Sequence, residues 1–302
     1  MSVDSAYVEL SRLDGVDIRR HEPMARHTSF HIGGPADLFV VCDTLAALAG
    51  ALDVLADNGL PYTTVGKGTN LLVSDSGYRG AILVLGKEFK RHVCNGEHIR
   101  AGAACILAYL VQDAFSRGLG GLEFAVGVPG TLGGALAMNA GSRESWIGQV
   151  AESVTLYAPD AGLIRLRGSE IVWGYRTSGL SSRGIIVESE LRLTFADPVR
   201  MRAQMERELT RRKKNQPMGA ASAGSVFMNP EGDSAGRLIE SVGLKGTRLG
   251  DARISDVHAN FIVNDGHATA ADVLGLVKKI RISVRDRYGI ELQPEVRFLG
   301  EF

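Results

Sequence analysis

Apolar side chains recur three and four residues apart in several parts of the chain, which is the spacing of one face of a helix. The clearest stripe consists of Val273, Leu276, Val277, Ile280, Val284 and Tyr288. Thr269 precedes this stripe, and Asp272 follows three residues later, as in a capping box. The pattern therefore predicts a long helix over Ala270–Tyr288.

The same spacing predicts three further helices. A leucine stripe consists of Leu45, Leu48, Leu52 and Leu55. It predicts a helix over Thr44–Asn58, and the apolar positions of Ile106–Arg117 and Ser234–Val242 predict two more. Residues 1–25 are polar with a few apolar anchors, so we expect a short helical or irregular lead-in there.

Alternation of apolar and polar residues marks one strand over Ile185–Phe195. Its apolar set is Val187, Leu191, Leu193 and Phe195, and its polar set is Glu188, Glu190, Arg192 and Thr194. The pattern predicts a half-buried strand that places Phe195 on the apolar side. Shorter apolar segments between turn residues predict strands near 35–41, 62–65, 71–73, 81–85, 153–158, 163–166, 259–264 and 291–298.

Composition changes at Pro198, after which residues 199–216 are rich in charged side chains. A helix that begins just after a proline is expected here. We interpret it as a solvated connector, because a run of charges on a helix does not require a partner.

The overall composition is that of a globular protein. The chain has 302 residues, 45% apolar and 23% charged, which is enough for two or three domains. The 34 basic and 34 acidic side chains cancel, so no global charge favours nucleic acid or an anionic membrane. An anionic ligand must therefore be held by local charge.

Cysteine usage and terminal sequence predict a cytoplasmic protein. Cys42, Cys94 and Cys105 are odd in number and lack metal-ligand spacing, which argues against a disulfide framework. The first residues lack the basic and apolar regions of a secretory leader. No apolar run approaches the roughly 20 residues of a membrane-spanning helix.

Glycine is concentrated in two segments, Gly66–Asn70 and Gly121–Ser142. Glycine permits positive φ and a close approach to the main chain, and free N–H groups in turns bind anions. A phosphate or a flat cofactor would fit such segments. A series of tight turns in a buried core is the alternative, and the glycines alone leave both interpretations open.

Familiar motifs do not account for these glycines. Gly66 and Gly68 lack the third glycine of a dinucleotide fingerprint, since position 71 is Leu, and no GxxxxGK[ST] loop is present. The seven histidines show no HExxH pair, and no GxSxG elbow occurs. The sequence therefore gives no support for a zinc site or a serine hydrolase.

Taken together, the segments resemble the UDP-N-acetylenolpyruvoylglucosamine reductase (MurB) family of peptidoglycan precursor synthesis. Residues 65–80 and 121–142 are similar to the family's two flavin-cradling segments. Further matches, in the family's order, are 28–40, 174–178, 222–230, 235–246, 254–264 and 293–300. Each is weak alone, but their common order over about residues 20–302 is specific. The short distance from Tyr175 to the strand at Ile185 resembles the shorter of the family's two forms.

This resemblance implies an α+β fold in three parts. Two subdomains of the vanillyl-alcohol-oxidase (VAO)/PCMH type would hold FAD, over residues 1–80 and 81–197. A C-terminal α/β domain over 198–302, with a connector helix over 198–217, would close over the substrate.

The resemblance also implies the cofactor contacts. Those of the first loop would be Gly66, Lys67, Gly68, Thr69, Asn70 and Leu71. Those beyond it would be Gly127, Val128, Pro129, Gly130, Gly133, Gly134, Asn139, Ala140 and Val187. Main-chain N–H groups would cradle the diphosphate, and Asn70 and Asn139 would bond the flavin or its ribityl chain. Residues 66–70 contain no His or Cys, so we expect FAD to be non-covalent.

The family's chemistry implies three catalytic residues. The substrate is an enol ether with a carboxylate, joined to a UDP-sugar. Hydride addition leaves negative charge that spreads into that carboxylate. Arg176 would pair with the carboxylate and the developing charge, and Ser225, at a glycine turn, would protonate the carbanion. Glu295 would polarise the enol, or hold a proton or water, on the opposite side.

Substrate contacts are implied for Tyr175, Arg176, Asn229 and Lys214. The chain departs from the family at one of them. Members often have Lys two residues before the proline that ends the connector, and here Asn215 occupies that position beside Lys214. Either Lys214 replaces the usual lysine or one diphosphate contact is weakened.

NADPH is the implied co-substrate, and it would share the substrate cavity because no separate dinucleotide motif exists. We expect small-molecule partners, no metal, no nucleic acid and no membrane. A monomer is expected, with an oligomer left open. The alternatives are an FAD oxidase or dehydrogenase of the same flavin fold acting on another alcohol or sugar, and a non-catalytic nucleotide-binding module.

Overall fold

The computed structural model describes residues 2–142 and 144–302; Met1 and Arg143 lie outside the described residues. The chain forms two compact units, each assembled from three stretches. The first unit comprises residues 1–20, 38–66 and 80–211, and the second comprises 21–37, 67–79 and 212–302.

The described residues form seven α-helices: α1 Val3–Leu10, α2 Leu45–Asp57, α3 Leu107–Ser116, α4 Leu132–Ala137, α5 Pro198–Asn215, α6 Ala235–Ser241 and α7 Ala270–Tyr288. The predicted caps are present. The Thr44 side chain accepts from the N–H of Ala47, and Thr269 with Asp272 forms the capping box of α7. Gly289 ends α7 at φ +69°, a conformation that glycine adopts without strain.

The strands of the first half of the chain are β1 Val16–Pro23, β2 Pro35–Cys42, β3 Tyr62–Thr64, β4 Leu71–Val73, β5 Tyr78–Leu85, β6 His92–Asn95, β7 His98–Gly102 and β8 Leu119–Gly120. Those of the second half are β9 Ala151–Ala158, β10 Gly162–Arg167, β11 Ile185–Arg192, β12 Thr194–Phe195, β13 Arg248–Leu249, β14 Ala252–Ile254, β15 Ile262–Asn264 and β16 Arg297–Leu299. The predicted α+β class is confirmed.

The first unit has two apolar cores. One lies around α1 and α2 and the sheet β1-β2-β5-β3. The other lies between α3, α4 and the antiparallel sheet β10-β9-β11-β7-β6. Strand β11 serves both cores because successive side chains of a strand point to opposite faces, and both of its faces are covered. Val187 packs in the first core, whereas Ile186 packs in the second.

The second unit is built around α6, α7 and the small sheet β13-β14-β15. Its other sheet pairs β16 in parallel with β4, so that Arg297 lies opposite Leu71. This pairing brings the segment after the first glycine loop next to the segment that contains Glu295.

Two predictions of local structure are wrong. The lead-in contains a strand, β1, that its polar sequence did not indicate. Phe195 is 69% exposed, because β11 ends at Arg192 and Phe195 belongs to the short strand β12. Strand β12 pairs with β8 instead of continuing the alternation.

The connector α5 is solvated as predicted, and Met201 is its buried residue. The cysteines Cys42, Cys94 and Cys105 are all free thiols. A search of the described residues for a helix with the length and apolar character to cross a membrane finds none.

Candidate functional site

The first glycine loop has a conformation that only glycine permits. Gly68 has φ +61°, and a Cβ there would lie 2.1 Å from the carbonyl oxygen of His27. The Gly68 carbonyl accepts from the N–H of Ser29 at 3.2 Å. Among the described residues, the N–H groups of Lys67, Gly68 and Thr69 have no hydrogen-bond partner. Three consecutive open donors around a left-handed residue form a nest that suits an anionic oxygen.

Within the first unit, the start of this loop meets the second glycine segment. A Cβ on Gly66 would lie 2.6 Å from Thr131 Oγ1, so this position has no room for a larger residue. Thr131 Oγ1 in turn accepts from the N–H of Gly134 at 3.3 Å and caps α4. Gly66 is therefore held directly against the entry to α4.

Some N–H groups of the second segment donate to main-chain carbonyls, and others have no acceptor among the described residues. Leu132 donates to the Cys105 carbonyl at 2.9 Å, and Gly133 donates to the Ala103 carbonyl at 2.8 Å. A Cβ on Gly133 would approach Ala103 Cβ to 2.9 Å, so this glycine is required by packing. The N–H groups of Gly127, Gly130 and Thr131 have no partner among the described residues. These three donors are open to a ligand, and they fit phosphate oxygens.

Val187 supports the second segment from β11. Its side chain is 5% exposed and its carbonyl accepts from the N–H of Ala103 at 2.9 Å. Ala103 also accepts from Gly133, so β11 and the glycine segment are linked through one residue. Near the end of this region, the half-buried Ala140 donates to the Ala135 carbonyl at 2.8 Å.

Arg176 lies in a strained turn that the end of α4 holds in place. Its backbone has φ +59°, which is uncommon for a residue with a side chain. Its Nη1 donates to the Gly141 carbonyl at 3.0 Å, and its guanidinium lies 5.2 Å from the centre of the Tyr175 ring. Tyr175 is 52% exposed. The cation is therefore oriented before any ligand arrives.

Asn139 is the buried residue that holds this turn. Its backbone has φ +43°, and its side chain is 6% exposed. Nδ2 donates to the Gly174 carbonyl at 2.9 Å, and Oδ1 accepts from the N–H of Gly148 at 3.2 Å. These bonds give Asn139 a supporting role in the first unit.

In the second unit, the main chain at Glu295 is hydrogen-bonded to Val226, the residue that follows Ser225. The N–H of Glu295 donates to the Val226 carbonyl at 2.8 Å, one residue from Ser225. Both residues are half-buried. The Ser225 hydroxyl has no hydrogen-bond partner within the described part of the chain, so it can donate to a ligand.

Asn70 joins the same cluster. Its Nδ2 donates to the Glu295 carbonyl at 3.1 Å, and its own carbonyl accepts from the N–H of Arg297 at 3.0 Å. A residue of the first glycine loop thus fixes the main chain at Glu295.

The predicted substrate residues of the second unit lie at its surface. Asn229 is exposed, and its Oδ1 accepts from the N–H of Ala235 at the start of α6 at 3.0 Å. Lys214 is exposed in the last turn of α5, beside the exposed Asn215. Lys214 therefore has the freedom of a surface side chain.

Sequence patterns missed two residues behind Ser225. Asn260 is 3% exposed, and its side chain bonds both main-chain groups of Phe227. His258 Nδ1 accepts from the N–H of Asn260 at 3.1 Å. Burial, reinforced by Lys245, lowers the pKa of His258 and favours the neutral ring that this bond requires. Asparagine within an apolar strand segment was the only sequence signal.

The cysteines do not offer a nucleophile. Burial raises the pKa of Cys42 to about 12 and those of Cys94 and Cys105 to about 11. All three thiols are therefore protonated near neutral pH, and thiols in that form react poorly.

Among the described residues, one group has the composition of a metal site. His98, Glu152 and Glu190 offer ligand atoms within 4.8 Å of one another. His98 Nδ1 already lies 2.8 Å from Glu152 Oε2, and Arg165 donates to Glu190 at 2.5 Å. We interpret the group as a cross-strand ion-pair network.

Two family models match the chain. The model described as "FAD binding domain" matches residues 36–167. The model described as "UDP-N-acetylenolpyruvoylglucosamine reductase, C-terminal domain" matches residues 216–299.

Curated relatives match along almost the whole length. The UDP-N-acetylenolpyruvoylglucosamine reductase of Geobacter metallireducens is 44% identical over 99% of both chains. Reductase 2 of Symbiobacterium thermophilum is 45% identical over 94% of this chain and 92% of its own. The crystal structure of the UDP-N-acetylenolpyruvylglucosamine reductase (MurB) from Thermus caldophilus superimposes with a TM-score of 0.83. It is 36% identical, over 94% of this chain and 99% of that one.

Proposed function

The chain belongs to the UDP-N-acetylenolpyruvoylglucosamine reductase family, and on that premise we propose how its residues carry out the reaction. It is an FAD-dependent oxidoreductase that uses NADPH to reduce UDP-N-acetylglucosamine enolpyruvate to UDP-N-acetylmuramate, a step of peptidoglycan precursor synthesis. The observation that carries the residue roles is the bond from Asn70 to Glu295, because it joins a flavin loop to the Ser225 cluster.

The open donors described above fit the diphosphate of FAD. In the first unit these are the N–H groups of Gly127, Gly130 and Thr131, and in the second those of Lys67, Gly68 and Thr69. When bound, FAD supplies hydride transfer from NADPH to the substrate. We also propose FAD contacts at the other predicted positions and non-covalent attachment. These positions are Gly66, Asn70, Leu71, Val128, Pro129, Gly133, Gly134, Asn139, Ala140 and Val187.

Arg176 binds the substrate carboxylate and stabilises the negative charge that develops on it. A planar guanidinium can bond both oxygens of a carboxylate. Its Nη1 already donates to Gly141, and its ring contact with Tyr175 limits its motion. A cation oriented in advance needs little reorganisation during the reaction, which is the main source of electrostatic catalysis.

Ser225 donates the proton. Its O–H bond breaks as a C–H bond forms at the substrate carbon that carries the negative charge. The hydroxyl is free to take this role because no described residue bonds it. The main chain of Glu295 is fixed by Val226 and Asn70, and its carboxyl group is assigned to polarising the enol or holding a proton or water.

Tyr175, Asn229 and Lys214 are proposed to contact the UDP-sugar. The exposure of all three suits a large polar substrate. The exposed Lys214 supports the hypothesis that it replaces the lysine expected at Asn215.

We also propose a three-part division at 1–80, 81–197 and 198–302; the two family models, over 36–167 and 216–299, support its boundary near the connector. NADPH and the UDP-sugar use one cavity in turn, which gives ping-pong kinetics with inhibition by excess enolpyruvyl substrate. A cytoplasmic location fits the free thiols, and a monomer is proposed with an oligomer left open.

Ser225→Ala tests the proposed proton donor. NADPH should still bleach the flavin at the parent rate, while reoxidation by the enolpyruvyl substrate falls by about 10²–10⁴-fold. Stopped-flow absorbance measures both half-reactions. Ser222→Ala removes a hydroxyl three residues earlier and should leave both rates unchanged. Equal losses in both half-reactions of Ser225→Ala would reject this role.

A further inference from the structure

Asn260 makes a two-sided contact with the turn that carries Ser225. Its Oδ1 accepts from the N–H of Phe227 at 2.9 Å, and its Nδ2 donates to the carbonyl of Phe227 at 2.8 Å. Asn260 is 3% exposed and Phe227 fully buried, so water does not compete for these bonds. One side chain therefore satisfies both main-chain groups of a residue two positions from Ser225.

The main chain of Asn260 continues this contact. Its carbonyl accepts from the N–H of Val226 at 2.8 Å, and Ser225 forms a β-bridge with the next residue, Phe261. Val226 uses its other main-chain group to accept from Glu295. The segment containing Asn260 thus fixes Ser225 directly and Glu295 through Val226.

Only an amide of this size satisfies the geometry. Phe227 presents one donor and one acceptor to the same side chain, and asparagine offers one of each from a planar group. A carboxylate only accepts, so it would set a negative oxygen against the Phe227 carbonyl. An apolar residue would leave two buried main-chain groups without hydrogen-bond partners, which destabilises the turn.

We propose that Asn260 is a positioning residue that holds the Ser225 hydroxyl in line with the substrate carbon it protonates. The inference rests on the proposed function of Ser225. Misplacement of a reacting group by about 1 Å can lower a rate by about 10²-fold. Asn260 therefore acts on proton donation through Val226 and Phe227, without touching the substrate.

Asn260→Asp is the informative variant because its effect depends on pH. The buried carboxyl has a raised pKa, since burial and the facing carbonyl both disfavour its charge. At pH 8 the ionised form should slow reoxidation by the enolpyruvyl substrate by about 10²-fold. The rate should recover as pH falls, because the protonated carboxyl can donate to Phe227 again. Flavin reduction by NADPH should stay at the parent rate throughout.

Asn264→Asp is the matched control. Asn264 is also buried, its Nδ2 donates to the Phe30 carbonyl at 3.0 Å, and its Oδ1 accepts main-chain N–H groups. The substitution removes the same kind of donor from another buried carbonyl. It should lower the melting temperature without adding a pH-dependent step to reoxidation.

A second measurement requires no flavin. Hydrogen–deuterium exchange of the apoprotein should be faster in peptides covering residues 224–228 of Asn260→Asp at pH 8, and unchanged there in Asn264→Asp. Parent-like reoxidation and exchange in Asn260→Asp, or an equal pH-dependent loss in Asn264→Asp, would overturn the positioning role. If Ser225→Ala itself leaves reoxidation intact, it is the proposed function that fails.

Discussion

The turns that carry Arg176 and Ser225 are both held by a buried asparagine, but they prepare their side chains in opposite ways. Asn139 fixes a turn in which Arg176 is forced into positive φ and its guanidinium is already bonded to Gly141. Asn260 fixes a turn in which Gly224 takes the positive φ and the Ser225 hydroxyl has no bond among the described residues.

This difference matches what each residue must do. A cation that stabilises charge works best when it is already oriented, because reorientation during the reaction would reduce its effect. A proton donor must form its bond to the substrate, so a hydroxyl that was already donating within the protein would first have to break that bond. Both asparagines therefore fix the main chain of a turn. The Arg176 side chain is already hydrogen-bonded, whereas the Ser225 hydroxyl is available to bond the substrate.

Among changes at Arg176, Asn139 and His258, the largest effect is expected from removing the oriented cation. Arg176→Ala should slow flavin reoxidation by the enolpyruvyl substrate by about 10²–10³-fold, the loss typical of one charge-stabilising group. Arg176→Lys should recover only part of the lost reoxidation rate, because an ammonium lacks the planar fork of a guanidinium. Arg183→Ala removes an exposed arginine from the same region and should react like the parent. Full recovery in Arg176→Lys would show that charge alone suffices.

A smaller effect is expected at Asn139, where backbone strain and side-chain bonding can be separated. Asn139→Gly keeps the positive φ but loses the bonds to Gly174 and Gly148, whereas Asn139→Ala also adds strain. Both variants should slow reoxidation by about 10-fold or more, because the turn that positions Arg176 loses its support. Asn139→Ala should have the lower melting temperature of the two. Parent-like reoxidation in Asn139→Gly would mean that Arg176 does not depend on this support.

The smallest effect is expected from His258, which makes the free energy of unfolding depend on pH. Because the folded pKa of His258 lies below its ordinary value of 6.5, the unfolded chain binds the proton more readily. Stability should be unaffected above that value and should fall as pH drops below it, by less than about 1.4 kcal/mol per pH unit.

Urea unfolding between pH 5 and 8 measures this dependence. His258→Asn keeps an acceptor for the Asn260 N–H but does not titrate, so its stability should vary less with pH than that of the parent. His267→Asn changes an exposed histidine and should retain the parent's dependence. Identical curves for the parent and His258→Asn would refute the assignment.

Local sequence was sufficient to predict an element whose own residues cap it and form its apolar face. The cap at Thr269 and the apolar stripe predicted α7 at its observed bounds. The order of the glycine loops and of the segments around Arg176, Ser225 and Glu295 along the chain predicted the family, and the family is confirmed.

Sequence failed where a residue's state depends on a distant partner. Alternation placed Phe195 inside, but pairing of β12 with β8 leaves it exposed. Both faces of β11 are covered at its start, so Ile185, Ile186 and Val187 are all buried, which a half-buried strand pattern does not predict. Asn260 acts on a residue 33 positions away, so its role could not be inferred from its neighbours.

The pairing of β16 with β4 has a consequence for synthesis. Asn70 and the strand that follows it leave the ribosome 225 residues before Glu295, the residue that Asn70 holds. Synthesis proceeds at about 5–20 residues per second, so β16 is made roughly 10–45 seconds after β4, the strand with which it pairs. Until then the nascent chain carries an uncovered strand edge, and the first glycine loop lacks its support from residues 295–299. Assembly of the second unit is therefore governed by late translation, and chaperones that shield strand edges would have this interval in which to act.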